Sequence, residues 1–242
     1  MQAPAPTPAA NPTPTPASAP PAAAAPAGPV SYGLSSLLAT VTDPKGGQAE
    51  AIRALRTHVM AQHIEAGRRA LAVCATSRES GSTYITTNLA VAMSQIGLKT
   101  LLIDGNLRQP GVQDLIRPPA SPQGLAQCLI AEEDDYSGYI EAEVLPNLSI
   151  MYAGGTPASP QELLAGDRFE AVMNTCLRDF DLTIMDTPAA NSCSDGRRIS
   201  SVLGYCMIVT RKDWTRVEDM KTLIDQLQSD GAKVIGTVLD DF

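Results

Sequence analysis

The sequence predicts an α/β domain: a mostly parallel sheet with helices packed on both faces. Three observations carry that prediction. From Pro44 onward, short apolar runs alternate with helix-length amphipathic segments. Apolar strands of this kind are buried on both sides, which requires helical cover on each face of the sheet. Finally, Ser77, Asp104 and Asp186 each fall at the carboxyl end of a predicted strand, where open α/β sheets bind their ligands.

Taken in order, residues 1–42 stand apart. About half of the prolines precede Ser31, interleaved with Ala and Thr. Such a segment cannot bury enough apolar surface to offset its ordering entropy. It reads as a disordered, polyproline-II-leaning tail, either a solvated linker or a tether, and leaves 43–242 as the folded domain. Gln48 to about Ala66 is an amphipathic helix with Ile52, Leu55 and Val59 on one stripe. Arg69–Ala75 is a strand, and Thr83–Ile96 a helix ended by Gly97. Lys99–Asp104 and Leu148–Tyr152 are further strands. Pro160–Leu177 is helical, with Pro160 suited to a first turn. Strands at Leu182–Asp186, Tyr205–Thr210 and Ala232–Leu239 follow, separated by helices near Cys193–Leu203 and Arg216–Ser229.

Composition narrows the function. A net charge of −8, from 26 acidic and 18 basic residues, argues against a general nucleic-acid binder, which carries a basic face. The five cysteines include no Cys-x-x-Cys pair and read as small buried hydrophobes in a reducing compartment. His58 and His63 do not share a helix face as metal ligands at i,i+4 would. The longest apolar runs are strand-sized, far short of the ~20 residues of a membrane span. The N-terminus lacks the basic and leucine-rich regions of a secretory signal. Membrane attachment is therefore expected only through a partner.

Three segments carry chemistry: Thr76-Ser77-Arg78-Glu79-Ser80-Gly81-Ser82-Thr83, then Asp104-Gly105-Asn106, then Asp186-Thr187-Pro188. A phosphate-binding loop works because successive backbone N–H groups and the start of the following helix face one concavity. A lysine adds charge on the terminal phosphates, a Ser or Thr hydroxyl reaches Mg²⁺, and a carboxylate at a nearby strand end completes the metal shell. Here Gly81 is the loop's single glycine, Ser82 stands at the lysine position and Thr83 at the hydroxyl position. Asp186 stands where the strand-end carboxylate belongs, with Asp104 as a further carboxylate. The plainer reading makes Ser82 and Thr83 helix-cap residues and the two aspartates turn residues closing strands.

Over about residues 47–240 the chain resembles the bacterial tyrosine kinases of exopolysaccharide and capsule synthesis, deviant-Walker P-loop ATPases alongside the Min and Par proteins. The resemblance rests on Glu50-Ala51-Ile52-Arg53-Ala54-Leu55-Arg56, which fits a Glu-x-x-Arg-x-x-Arg helix, and on Asn88-Leu89-Ala90. It rests also on Leu107-Arg108-Gln109-Pro110 after Asp104, on Ala153-Gly154-Gly155-Thr156-Pro157 with Pro160-Gln161-Glu162-Leu163-Leu164, and on Ile184-Met185-Asp186-Thr187-Pro188 with Ser194-Asp195. The departures are specific. Measured from Asn88-Leu89-Ala90, the loop is two residues shorter than the family's Gly-Lys-Ser-Thr loop. The family's Asp-x-Asp pair reads Asp104-Gly105-Asn106, and its C-terminal tyrosine cluster is absent; Tyr136 and Tyr139, in an acidic loop, do not replace it.

The resemblance implies an ATP and Mg²⁺ site formed by Gly81, Ser82, Thr83, Asp104 and Asp186, with Thr83, Asp104 and Asp186 toward the metal and Asp104 as the candidate catalytic residue. It implies that Glu50, Arg53 and Arg56 serve homo-oligomerisation; the plainer reading is an exposed helix face with a weak ion pair. A charge-assisted phosphate contact contributes about 1.5–3 kcal/mol, so its loss costs roughly ten- to over a hundred-fold in affinity. Arg78 could return charge from another point. The expectation is a cytoplasmic pseudokinase, peripheral to the inner membrane, that acts on polymer assembly or export through a membrane-spanning chain-length regulator. The alternatives are an active ATP-dependent protein-tyrosine kinase of the same pathway and a Min- or Par-like positioning ATPase.

Overall fold

Apolar runs with no polar interruption become the inner strands, and amphipathic segments cover them. The computed structural model describes residues 31–131 and 135–241; the predicted tail over residues 1–30 lies outside the described residues. The chain runs β1 (Gly33–Leu34), α1 (Ala39–Thr42), α2 (Gly47–Val59), β2 (Ala70–Ala75), α3 (Ser82–Ser94) and β3 (Thr100–Asp104). It continues with α4 (Val112–Leu115), β4 (Ile116–Arg117), α5 (Leu125–Ile130), β5 (Glu141–Leu145) and β6 (Leu148–Met151). Then follow α6 (Pro160–Ala165), α7 (Asp167–Asp179), β7 (Leu182–Asp186), α8 (Asp195–Leu203), β8 (Tyr205–Arg211), α9 (Val217–Ser229) and β9 (Lys233–Asp240).

Seven strands form one sheet in the order β5-β6-β3-β7-β2-β8-β9. Every neighbouring pair is parallel except β5–β6. Because side chains alternate across a strand, the sheet divides the interior into two cores. Ala70, Ala72, Leu101 and Ile103 face one, packed by residues of α5 to α9 such as Leu125, Phe169, Ile199 and Leu223. Leu71, Val73 and Leu102 face the other with Ile52 of α2 and Ile85 and Leu89 of α3. All of α3 from Ile85 to Ser94 is buried, as expected for a helix enclosed between the sheet and α2.

Three expectations need correction. Residues 31–42, assigned to the tail by composition, fold onto the domain: β1 pairs with β4 and Leu38 is fully buried. The single helix over 160–177 is two, divided at Gly166, whose extended backbone (φ −69°, ψ 153°) ends α6 and begins α7. The antiparallel β5 was not foreseen, because its Glu141-Ala142-Glu143 start is mostly exposed and shows no apolar run.

Candidate functional site

The two aspartates form the floor of the site. Asp104 ends β3, Asp186 ends β7, and they are register partners on adjacent parallel strands. Both side chains are buried. Asp104 Oδ2 accepts from the amides of Gly111 and Val112, each at 3.0 Å, and Oδ1 from the Asn106 amide at 3.1 Å. This carboxylate thereby shapes the whole turn between β3 and α4. The turn also requires Gly105: its amide donates to the Asp186 carbonyl at 3.0 Å, and a Cβ there would lie 2.6 Å from the same oxygen.

Asp186 is held from above by α3. Thr83 Oγ1 donates to its Oδ2 at 2.6 Å and Thr86 Oγ1 to its Oδ1 at 3.3 Å. The Thr86 proton is shared with the Ser82 carbonyl at 2.7 Å. The two threonines are three apart and so lie on one helix face. Burial pushes the Asp186 carboxyl up to about 8, assisted by the neighbouring Asp104 charge and opposed by the threonine hydroxyls and the Thr187 amide. Burial likewise raises Asp104, against the pull of its three amide donors. Two adjacent buried carboxyls that resist ionisation are matched to a cation, which would hold both in the charged form. The hydroxyl and carboxylate half of a Mg²⁺–nucleotide site therefore fits these residues.

The loop between β2 and α3 is the other half. It holds no lysine. Gly81 caps α3 in the left-handed region at φ 76°, and Glu79 lies there as well, at φ 62°. The loop is tied in place by Ser80 Oγ donating to the Ser77 carbonyl at 2.6 Å and Arg211 Nη1 donating to the Glu79 carbonyl at 3.0 Å. Arg78, the cation that could return charge, donates through Nε to Ser192 Oγ at 3.3 Å. A cavity of about 450 Å³ opens over residues 77–84, bounded by Asn106, Gln109, Asp114 and Thr187. Gly81, Ser82 and Thr83 line this cavity, Asp186 is buried on the Thr83 hydroxyl, and Asp104 lies beside it on the adjacent strand.

Glu50, Arg53 and Arg56 are elsewhere, on α2. Arg53 pairs with Glu50 at 2.9 Å on the exposed side and also reaches the Pro44 carbonyl. Arg56 Nη1 donates to the Ala92 carbonyl of α3 at 3.4 Å.

Three features escaped the sequence reading. Thr86 is the second hydroxyl on Asp186; its spacing of three from Thr83 was the available signal. Arg108 forms a bidentate pair with Asp195 at 2.7 and 3.2 Å, joining the turn after β3 to the start of α8. Both residues stood in quoted motifs, but nothing in one sequence pairs them across 87 positions. Asp240 ends β9 against Gly81; the predicted strand stopped one residue short of it.

No protein-family model matches the chain. The chain is 31% identical over 197 residues to CapB of Staphylococcus aureus, assigned to the tyrosine-protein kinases, and the match covers 81% of this chain and 86% of CapB. It is 26% identical over 200 residues to the tyrosine-protein kinase Etk of Escherichia coli K12, over 83% of this chain and 27% of Etk. The chain spans roughly a quarter of the longer relatives. Among solved structures, the kinase domain of Escherichia coli ETK matches with a TM-score of 0.79 at 25% identity, covering 84% of this chain and 79% of that one. The chimerical protein CapA2B2 matches at TM-score 0.77 and 27% identity, covering 86% and 90%. The cell division ATPase MinD of Pyrococcus furiosus shares the fold, at TM-score 0.60 and 20% identity over 71% of each chain.

Proposed function

The chain belongs to the bacterial tyrosine kinases of capsule and exopolysaccharide synthesis, and from that premise we propose that it is a pseudokinase of this pathway, with phosphoryl transfer lost or strongly reduced. The observation that carries the reading is the split character of the site. Thr83, Asp104 and Asp186 converge as a metal-and-hydroxyl set, while the loop above them has no lysine. Phosphoryl transfer depends almost wholly on positioning and charge, so a site without its loop cation loses rate more than it loses fold.

In this reading Thr83 and Asp186 hold Mg²⁺, which on binding would neutralise phosphate charge. Asp104, held by three backbone amides, positions the turn that carries Asn106 and Gly111. Among the described residues no helix is long and apolar enough to cross a membrane. The proposed route to the membrane is docking on a membrane-spanning chain-length regulator, through which the protein would regulate polymer length or export. Homo-oligomerisation through the α2 face of Glu50, Arg53 and Arg56 belongs to the same proposal.

An active tyrosine kinase is the second reading, and the intact Thr83–Asp186 pair favours it. Calorimetric titration with ATP and ADP, with and without Mg²⁺, on wild type and Asp186→Ala tests the site. Mg²⁺-dependent binding lost in the variant supports it. Sustained ATP-dependent tyrosine phosphorylation by wild type, abolished in Asp186→Ala, would sink the pseudokinase reading.

A further inference from the structure

The positive end of α3 already faces an anion from its own chain. Asp240 closes β9, in register with Arg211 of β8, and is 6% exposed. Its carboxylate lies against the open face of Gly81, in the space that a Cβ there would occupy. Gly81 is the N-cap of the 13-residue α3, whose first amides have no partner within the helix and whose dipole attracts negative charge at this end. The charge registers one turn into the helix: the Tyr84 hydroxyl is pushed up by burial first and by Asp240 second. The strand end that carries the carboxylate is firmly placed. The Lys212 amide donates to the Asp240 carbonyl at 2.8 Å, and Thr210 Oγ1 donates to the Val238 carbonyl at 3.0 Å. Arg211, between those two donors, holds the loop itself through the Glu79 carbonyl. The end of β8 therefore fastens both the phosphate-facing loop and the strand that carries the anion.

We infer that Asp240 is a built-in competitor of phosphate: its carboxylate holds the anion-attracting start of α3, and a nucleotide phosphate binds only by displacing it or by tolerating its charge. This rests on reading the cavity over residues 77–84 as the nucleotide site. It makes Asp240 the residue that sets phosphate affinity, a role separate from that of the missing lysine.

The test is Asp240→Asn in the full chain. The change keeps size and polar atoms and removes the charge. ATP and inorganic pyrophosphate are titrated calorimetrically in Mg²⁺ against wild type and variant, and ligand-free unfolding temperatures are compared. The expected result is affinity about tenfold or more tighter for both ligands in the variant, with a lower ligand-free unfolding temperature because the helix end loses its anion. Equal or weaker affinity in the variant, with wild type binding normally, overturns the inference and leaves the nucleotide reading standing. Binding of neither ligand to either protein overturns the nucleotide reading. The ligand-free temperature then decides the placement of Asp240 alone: a drop upholds it, and no change or a rise removes it.

Discussion

Asp186 is a carboxyl that burial keeps toward its neutral form, with a pKa pushed up to about 8, against 3.8 for an ordinary aspartate. Between those values the folded protein binds more protons than the unfolded chain, so its stability falls as pH rises through the window. Asp104 acts in the same direction up to about 6. Urea denaturation of the ligand-free protein at about pH 5, 7 and 9 is expected to show stability declining toward pH 9, and Asp186→Asn to flatten the upper part of the decline. Stability that rises with pH would mean that the hydroxyls of Thr83 and Thr86 outweigh burial. The same residue predicts a proton signature: Mg²⁺–nucleotide binding at pH 7 should release protons, seen as a buffer-dependent heat, and release fewer at pH 9. Gly81 is constrained twice, by its φ of 76° and by the carboxylate against it. Gly81→Ala is expected to cost about 1–3 kcal/mol in equilibrium denaturation, and less when combined with Asp240→Ala, which removes the group that the new Cβ would meet.

At the scale of elements, the pair between Arg108 and Asp195 fixes the turn after β3 to the first turn of α8. Asp195 is buried while Arg108 is partly exposed. Arg108→Ala strands the carboxylate and is expected to cost about 2–3 kcal/mol, whereas Arg108→Lys recovers part of it; chemical denaturation of both variants checks this. The inner strands β2, β3 and β7 were legible because burial on both faces leaves an uninterrupted apolar run, and Asp104 and Asp186 were legible because each breaks such a run at its end. β5 was not, since an edge strand with one wet face carries few apolar residues. The division of α6 from α7 at Gly166 was hidden because apolar spacing continues from Leu163 and Leu164 to Phe169 across the break. Asp240 was missed for a different reason: what gives it meaning is the closeness of β9 to the loop before α3, a contact between segments far apart in the chain.

For the whole molecule, the sheet separates two cores that share no side chains. Leu101 and Leu102 are sequence neighbours, yet each is fully buried in a different core. Leu101→Ala and Leu102→Ala should each cost about 2–5 kcal/mol, and the double variant close to their sum, since neither cavity adjoins the other. A strong coupling in a double-mutant cycle would mean that the sheet transmits repacking from face to face. The strand order has a further consequence, for the birth of the protein. β7 sits between β3 and β2, although it follows both by many residues in the chain. A nascent chain that has emerged only as far as α7 has its two central strands made but not joined. Such pairing over long sequence separation is slow, and until Asp186 leaves the ribosome those strands offer open edges to one another, to chaperones and to neighbouring chains.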